Sequence, residues 1–247
     1  MAIFPTDPSS VTADWLRDVL GADVRECRLE QIGIGVGLLG RLYRAHLAGG
    51  PDVPTSVVVK LPMLDPRVRS EICEDLEFYL SEVRFYQSIG LANPLPPARP
   101  YFAAFDETTH DFVLVLEDLG RLRVVDQIVG CTVADAETVV DTIARHHAHW
   151  WESDRFASMP WLKARAAPPF PAVSISNFEA AWPPFIAGVG ADLSPALRAF
   201  GERFPSMIPW FCEELTRPPR TFVHGDLRLD QLFFAVDPDD PPITALD

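Results

Sequence analysis

The chain has 247 residues, 48% hydrophobic and 23% charged, enough apolar content to bury a sizeable core as one large domain or two lobes. A formal net charge of −14 argues against a nucleic-acid partner, which needs a basic stripe. No apolar run reaches the roughly 18 to 20 residues that cross a bilayer, and MAIFPTDPSS lacks the basic start of a secretory signal; no membrane partner and a cytoplasmic location are expected.

Thr12 suits the N-cap of a first helix with Trp15, Leu16, Val19 and Leu20 on one face and Gly21 as its stop. Two strand-like runs follow, 24–34 and 41–47, separated by GIGVGLLG from Gly33 to Gly40. SVVVKLP then reads as a short buried strand that carries one charge, Lys60. From Arg67 to Ile89 the residues Val68, Ile72, Leu76, Tyr79, Val83 and Tyr86 recur at intervals of three and four, predicting one helix. Glu82 falls just beside that face, an acid at the rim of a buried surface. Residues 100–105 and 112–117 read as two strands joined by the polar turn DETTHD.

Beyond Gly120 the pattern turns helical. Thr132 and Asp135 form a capping-box pattern, and the helix they open runs through Val139, Val140, Ile143, His147 and Trp151, with His147 in the middle of the apolar face as a core histidine and His146 and His149 pointing elsewhere. Further helices are expected at 194–204 and 205–216, and the proline-rich NPLPPARP and RAAPPFPA read as rigid connectors. Two short strands, 232–236 and 243–247, close the chain around the turn DPDDPP. The expected division is a sheet lobe at 1–119 and a helical lobe at 120–247.

The stretch VHGDLRLDQLFF, Val223 to Phe234, sets His224, Gly225 and Asp226 at the end of a strand-like run. Such loops carry chemistry in some folds and are solvated turns in others, because Gly and Asp are ordinary turn residues. Lys60 has two readings as well: an edge-strand lysine, or the partner of an acid on the next helix. The four cysteines Cys27, Cys73, Cys131 and Cys212 include no CxxC pair, and the histidine-rich HHAHWW lacks the further ligand a metal site needs.

Taken in order, a glycine-rich turn between strands, a lysine in the next strand, a glutamate on the following helix, a strand ending in LEDL, then HGD and a final aspartate resemble the parts of a kinase fold. The phrases LSEVRFYQ, VLVLEDLG, HHAHWW and VHGDLRLDQLFF are similar to the ecdysteroid-kinase-like branch of the aminoglycoside phosphotransferase and choline kinase superfamily. The resemblance implies an α+β, two-lobed protein-kinase-like fold with an antiparallel sheet and one helix in the N-lobe and a mainly helical C-lobe. It also implies an ATP- and Mg²⁺-dependent transfer of the γ-phosphate to a hydroxyl of a small molecule. Asp226 would act as catalytic base or orienter. Gly33, Gly35 and Gly37 would approach the nucleotide phosphates, Lys60 paired with Glu82 would hold its ammonium against them, and backbone groups around Glu117 and Leu119 would meet the adenine edge. Gln231 and Asp247 would bind the metal.

Two features depart from that pattern. Gln231 stands where the family motif has asparagine, and one extra methylene moves its amide oxygen outward by on the order of one C–C bond. The chain stops at Asp247, where related kinases continue into further helices, so the C-lobe is expected to be incomplete. A non-catalytic nucleotide-binding protein is the alternative reading. A metal-dependent hydrolase built on His224 and the aspartates ranks last, because it leaves the N-terminal strands unexplained.

Overall fold

The computed structural model describes residues 4–33, 40–65, 69 and 76–246, and it is α+β with an antiparallel sheet and five α-helices among those residues. The Thr12 hydroxyl accepts the Trp15 amide at 3.2 Å and opens α1 (Ala13–Leu20), which Gly21 ends. β1 (Val24–Ile32), β2 (Arg41–Gly49), β3 (Ser56–Leu61), β4 (Pro100–Phe105) and β5 (Phe112–Glu117) form one sheet in the order β1-β2-β3-β5-β4, every pair antiparallel. The five strands read from the sequence are therefore all present and paired.

Alternation along β3 divides the core in two. Val57, Val59 and Leu61 are fully buried in a cluster with Leu16 of α1, Val24, Ala45, Val113 and Val115. Residues one position out of phase point to the opposite face, where Leu114 and Leu116 of β5 join Tyr79, Val83 and Tyr86 of α2 (Phe78–Ser88). Lys60 pairs with Leu114 in register and so belongs to the α2 side. Period two alone thus brings the lysine of β3 to the helix that carries Glu82.

The helix expected from Arg67 differs in extent. Glu77 sits at φ 54 in the left-handed region, so α2 begins at Phe78 and no single helical face runs through Leu76. Residues 66–68 and 70–75, including Val68 and Ile72, lie outside the described residues.

β6 (Arg123–Val124), which has no sequence signal of its own, pairs with β7 (Leu232–Phe234), and β7 pairs with β8 (Ile243–Ala245). α3 (Val133–Trp150) starts at the Thr132–Asp135 capping box. Its buried face is one position away from the expected one: His146 and Trp150 are buried, while Val140 and Trp151 are exposed. His146, not His147, is the core histidine.

By compactness the chain divides into Met1–Trp151 with Thr221–Asp247, and Glu152–Arg220. The boundary expected at 119/120 is of another kind, separating sheet from helix within the first unit. The second unit contains α4 (Phe170–Val189) and α5 (Pro195–Glu214), two 20-residue helices that include Pro183, Pro184, Pro205 and Pro209. The sequence reading placed a rigid connector over the start of α4 and split α5 at Pro205. Each internal proline removes one donor from the helix, yet both helices persist because aromatic side chains bind them together. Phe178 and Trp182 stack at 5.5 Å, and Phe178 and Phe204 approach to 5.1 Å across the pair. No helix among the described residues is long and apolar enough to cross a membrane.

Candidate functional site

Lys60 is 7% exposed, and its Nζ donates to Glu82 Oε1 at 2.7 Å. Burying an ammonium is costly without a partner, so the carboxylate from α2 is what allows a lysine inside this sheet. Gly40, the last glycine of GIGVGLLG, gives the lysine stem its space: a Cβ there would stand 2.9 Å from Lys60 Cε and 3.1 Å from Cγ. At the other end of the same stretch Gly33 adopts φ 65, a conformation that disfavours other residues. The sequence reading named Gly33 and passed over Gly40. Gly35 and Gly37 lie outside the described residues.

At the end of β5 the Glu117 amide donates to Arg99 O at 2.8 Å, and the Leu119 carbonyl accepts from the Leu122 amide at 2.8 Å. These two bonds engage one backbone group of each residue, the Glu117 N–H and the Leu119 carbonyl. The residue between is the better-held one. Asp118 accepts from Arg44 Nε at 2.7 Å, Ser56 Oγ at 2.7 Å and the Gly120 amide at 3.0 Å. Burial pushes its carboxyl pKa up, but the bonds from Arg44, Ser56 and Gly120 prevail and hold it below the usual carboxylate range. The sequence alone leaves Asp118 equally readable as a solvated loop acid or a ligand contact, because Arg44 and Ser56 reach it only through the β2–β3–β5 register.

His224, Gly225 and Asp226 form a turn whose backbone meets the His224 ring. His224 Nε2 lies 2.9 Å from the Leu246 carbonyl, and the Asp226 amide makes a long contact, 3.4 Å, to His224 Nδ1. An N–H facing Nδ1 assigns the ring proton to Nε2, which donates to Leu246. Gly225 turns the chain at φ 89. The Asp226 side chain is 65% exposed, open to a ligand. Gln231 Nε2 donates to Asp226 Oδ2 at 3.2 Å, and Arg228 Nε lies 3.4 Å from the same oxygen. Asp226 and Gln231, five residues apart, are therefore brought together, as are Lys60 and Glu82.

Gln231 Oε1 and Asp230 Oδ1 are buried acceptor oxygens that receive no hydrogen bond among the described residues. Such groups are rare in folded chains, and an amide oxygen beside a carboxylate is the hard donor set that Mg²⁺ takes. The residues present thus fit the implied metal. Asp247 lies outside the described residues, and among those described no group of three or more His, Cys, Asp or Glu is placed to hold a metal.

Behind the turn, α3 contributes His146, which is 3% exposed. Its Nδ1 lies 3.0 Å from Asn93 Oδ1 and its Nε2 lies 2.9 Å from the Phe222 carbonyl, while Trp150 Nε1 donates to Asn93 Oδ1 at 3.0 Å. Burial pushes the pKa of His146 down to about 4, opposed by the Phe222 contact and reinforced by His147, His224 and His149. The unfolded chain then binds the proton near the ordinary value of 6.5 while the folded chain refuses it. Stability is full above pH 6.5, falls as the pH drops toward 4, and flattens below, by about 3 kcal/mol at about 1.4 kcal/mol per unit. Urea unfolding of wild type and His146→Gln at pH 7 and pH 4.5 should show the larger acid loss in wild type. Equal losses would place the acid sensitivity elsewhere.

A scan of the sequence against protein-family models finds no match, and a search of curated proteins finds no significant match.

Proposed function

We propose that this chain is an ATP- and Mg²⁺-dependent phosphotransferase that moves the γ-phosphate to a hydroxyl of a small molecule, on a two-lobed kinase-like fold. The observation that carries the reading is the Lys60–Glu82 pair at 2.7 Å, joining the third strand to the following helix in the order the motifs imply. An ammonium held this way offers a fixed charge to phosphate oxygens without first having to be oriented. Asp226 accepts the proton of the acceptor hydroxyl as its oxygen bonds to the γ-phosphorus. The bond from that phosphorus to the bridging oxygen breaks, and ADP leaves with the electron pair. His224 keeps the Asp226 turn in place through Leu246. Gln231, with Asp230 beside it and Asp247, would hold Mg²⁺, which supplies charge neutralisation on the β- and γ-phosphates when bound.

One observation favours a second reading, a nucleotide-binding protein without transfer activity. Gln231 Nε2–H already occupies Asp226 Oδ2, an oxygen the acceptor hydroxyl would use. Calorimetry of ATP binding with and without Mg²⁺, followed by ADP release over a panel of hydroxyl compounds, decides between them. The expected result is Mg²⁺-dependent binding and acceptor-dependent ADP release. Binding without release supports the second reading, and no binding in either condition overturns both. If Gln231 is a compromised ligand, Gln231→Asn should lower the Mg²⁺ concentration at half-maximal binding; an unchanged or raised midpoint counts against that version and fits a glutamine adapted to its own backbone.

A further inference from the structure

The hydrogen-bond accounting around His146 does not close with an ordinary neutral ring. Both ring nitrogens face oxygens that only accept, Asn93 Oδ1 at 3.0 Å and Phe222 O at 2.9 Å. Turning the Asn93 amide over does not help. Its Nδ2 donates to Leu95 O at 2.7 Å and its Oδ1 takes the Trp150 indole N–H, so reversal would set donor against donor and acceptor against acceptor. A neutral imidazole has one proton for two acceptors. Asn93 Oδ1 already has a donor in Trp150, whereas the Phe222 carbonyl has His146 alone among the described residues. The single proton therefore belongs on Nε2.

Phe222 lies two residues before His224 and four before Asp226. Its ring also packs on Trp150 at 5.6 Å and on His146 at 5.6 Å. Thr221 adds a second tie to the same helix, its Oγ1 donating to His147 O at 2.9 Å. Residues 221–224 belong to no strand or helix and pair with no strand among the described residues, and their contacts to α3 tie them down.

We propose that His146 is a positioning residue for the Asp226 turn, holding the Phe222 carbonyl through Nε2–H while its other nitrogen rests against an asparagine oxygen already satisfied by Trp150. The inference goes beyond the phosphotransferase reading and rests on it only for the consequence in turnover. The groups that titrate around the ring are His147 and His149 on its own helix and His224 from the turn. His146, His147 and His224 also line one cavity of about 180 Å³, with Leu95, Ile143 and Val223 among its walls. A second proton on the ring would complete the Asn93 contact, but burial and three neighbouring imidazoles oppose it, so the neutral Nε2–H form acts at pH 7.

The test is amide hydrogen exchange on the full chain without substrates, in wild type, His146→Phe, His146→Gln and His147→Phe, with ring nitrogen NMR of wild type. His146→Phe should speed exchange at residues 223–226 at least about five-fold relative to β5. His146→Gln, which keeps a donor, should recover most of the protection, and His147→Phe should match wild type. Wild-type NMR at pH 7 should show the His146 proton on Nε2. A rise at 223–226 no greater than in β5, the same rise in His147→Phe, or a ring protonated only at Nδ1 would each overturn the proposal. The NMR result stands even if His146→Phe does not fold. Since no nucleotide is present, a chain that fails to bind ATP yet shows the exchange pattern retains the positioning role and loses the phosphotransferase reading. In a chain that turns over, His146→Phe should lower kcat several-fold with KM for ATP within two-fold, and His146→Gln should restore most of the loss.

Discussion

Asp226→Asn is expected to lower kcat for phosphoryl transfer by roughly 10²–10⁴-fold while nucleotide affinity stays within about two-fold. The substitution keeps the size of the side chain and can keep the contact to Gln231 after a rotation of the amide, so the turn should remain folded. What it removes is the carboxylate that takes the hydroxyl proton. The Asp226 side chain is open enough to meet a substrate, and the phosphate-holding pair Lys60–Glu82 comes from other elements, so loss of transfer without loss of ATP binding is the outcome that fits this division of labour. Single-turnover measurement with ATP and an acceptor found by the panel separates the two quantities. Equal transfer rates in wild type and Asp226→Asn would remove Asp226 from the chemistry. A parallel fall in ATP affinity would show instead that the residue supports the nucleotide site.

The parts of the candidate site that the sequence made legible are those encoded by period and spacing. Lys60 stands in a β-branched strand and Glu82 at the rim of a helix face, and alternation puts them on one side of the sheet, where they meet at 2.7 Å. The spacing from Asp226 to Gln231 likewise survives as a contact through a short turn at Leu229–Gln231. What could not be read depends on register or on competition between equivalent patterns. Asp118 is held by Arg44 and Ser56, which lie 74 and 62 residues away in sequence, so only the strand pairing joins them. On α3 the sequence reading runs the apolar face through Val139, Val140, Ile143, His147 and Trp151, yet a face through Val139, Ile143 and Trp150 keeps helical spacing equally well and is the second arrangement open to the helix. Burial of Trp150 against Asn93 and Phe222 selects the second and turns His146 inward. The prolines of α4 and α5 misled for a related reason: local propensity weighs the lost donor, but the aromatic contacts that outweigh it arise from packing of one helix on another.

Lys60→Met should both destabilise the fold and abolish productive use of ATP, and the two effects can be pulled apart. Methionine preserves the length of the stem that runs past Gly40, but it leaves the Glu82 carboxylate, 14% exposed, without the Lys60 charge. Removing one member of a buried pair costs about 3–5 kcal/mol, whereas replacing both members by apolar side chains of similar volume is often neutral. The double variant Lys60→Met/Glu82→Leu should therefore regain most of the stability that the single variant loses. It should not regain function, because no ammonium remains for the phosphates; kcat/KM for ATP should stay at least about 10²-fold below wild type in both variants. Urea midpoints and nucleotide titrations on the three proteins give the answer. If the double variant recovers ATP use together with stability, the pair serves only to satisfy a charge inside the sheet. If it recovers stability alone, Glu82 is there to make a buried lysine tolerable, and the lysine is there for the nucleotide.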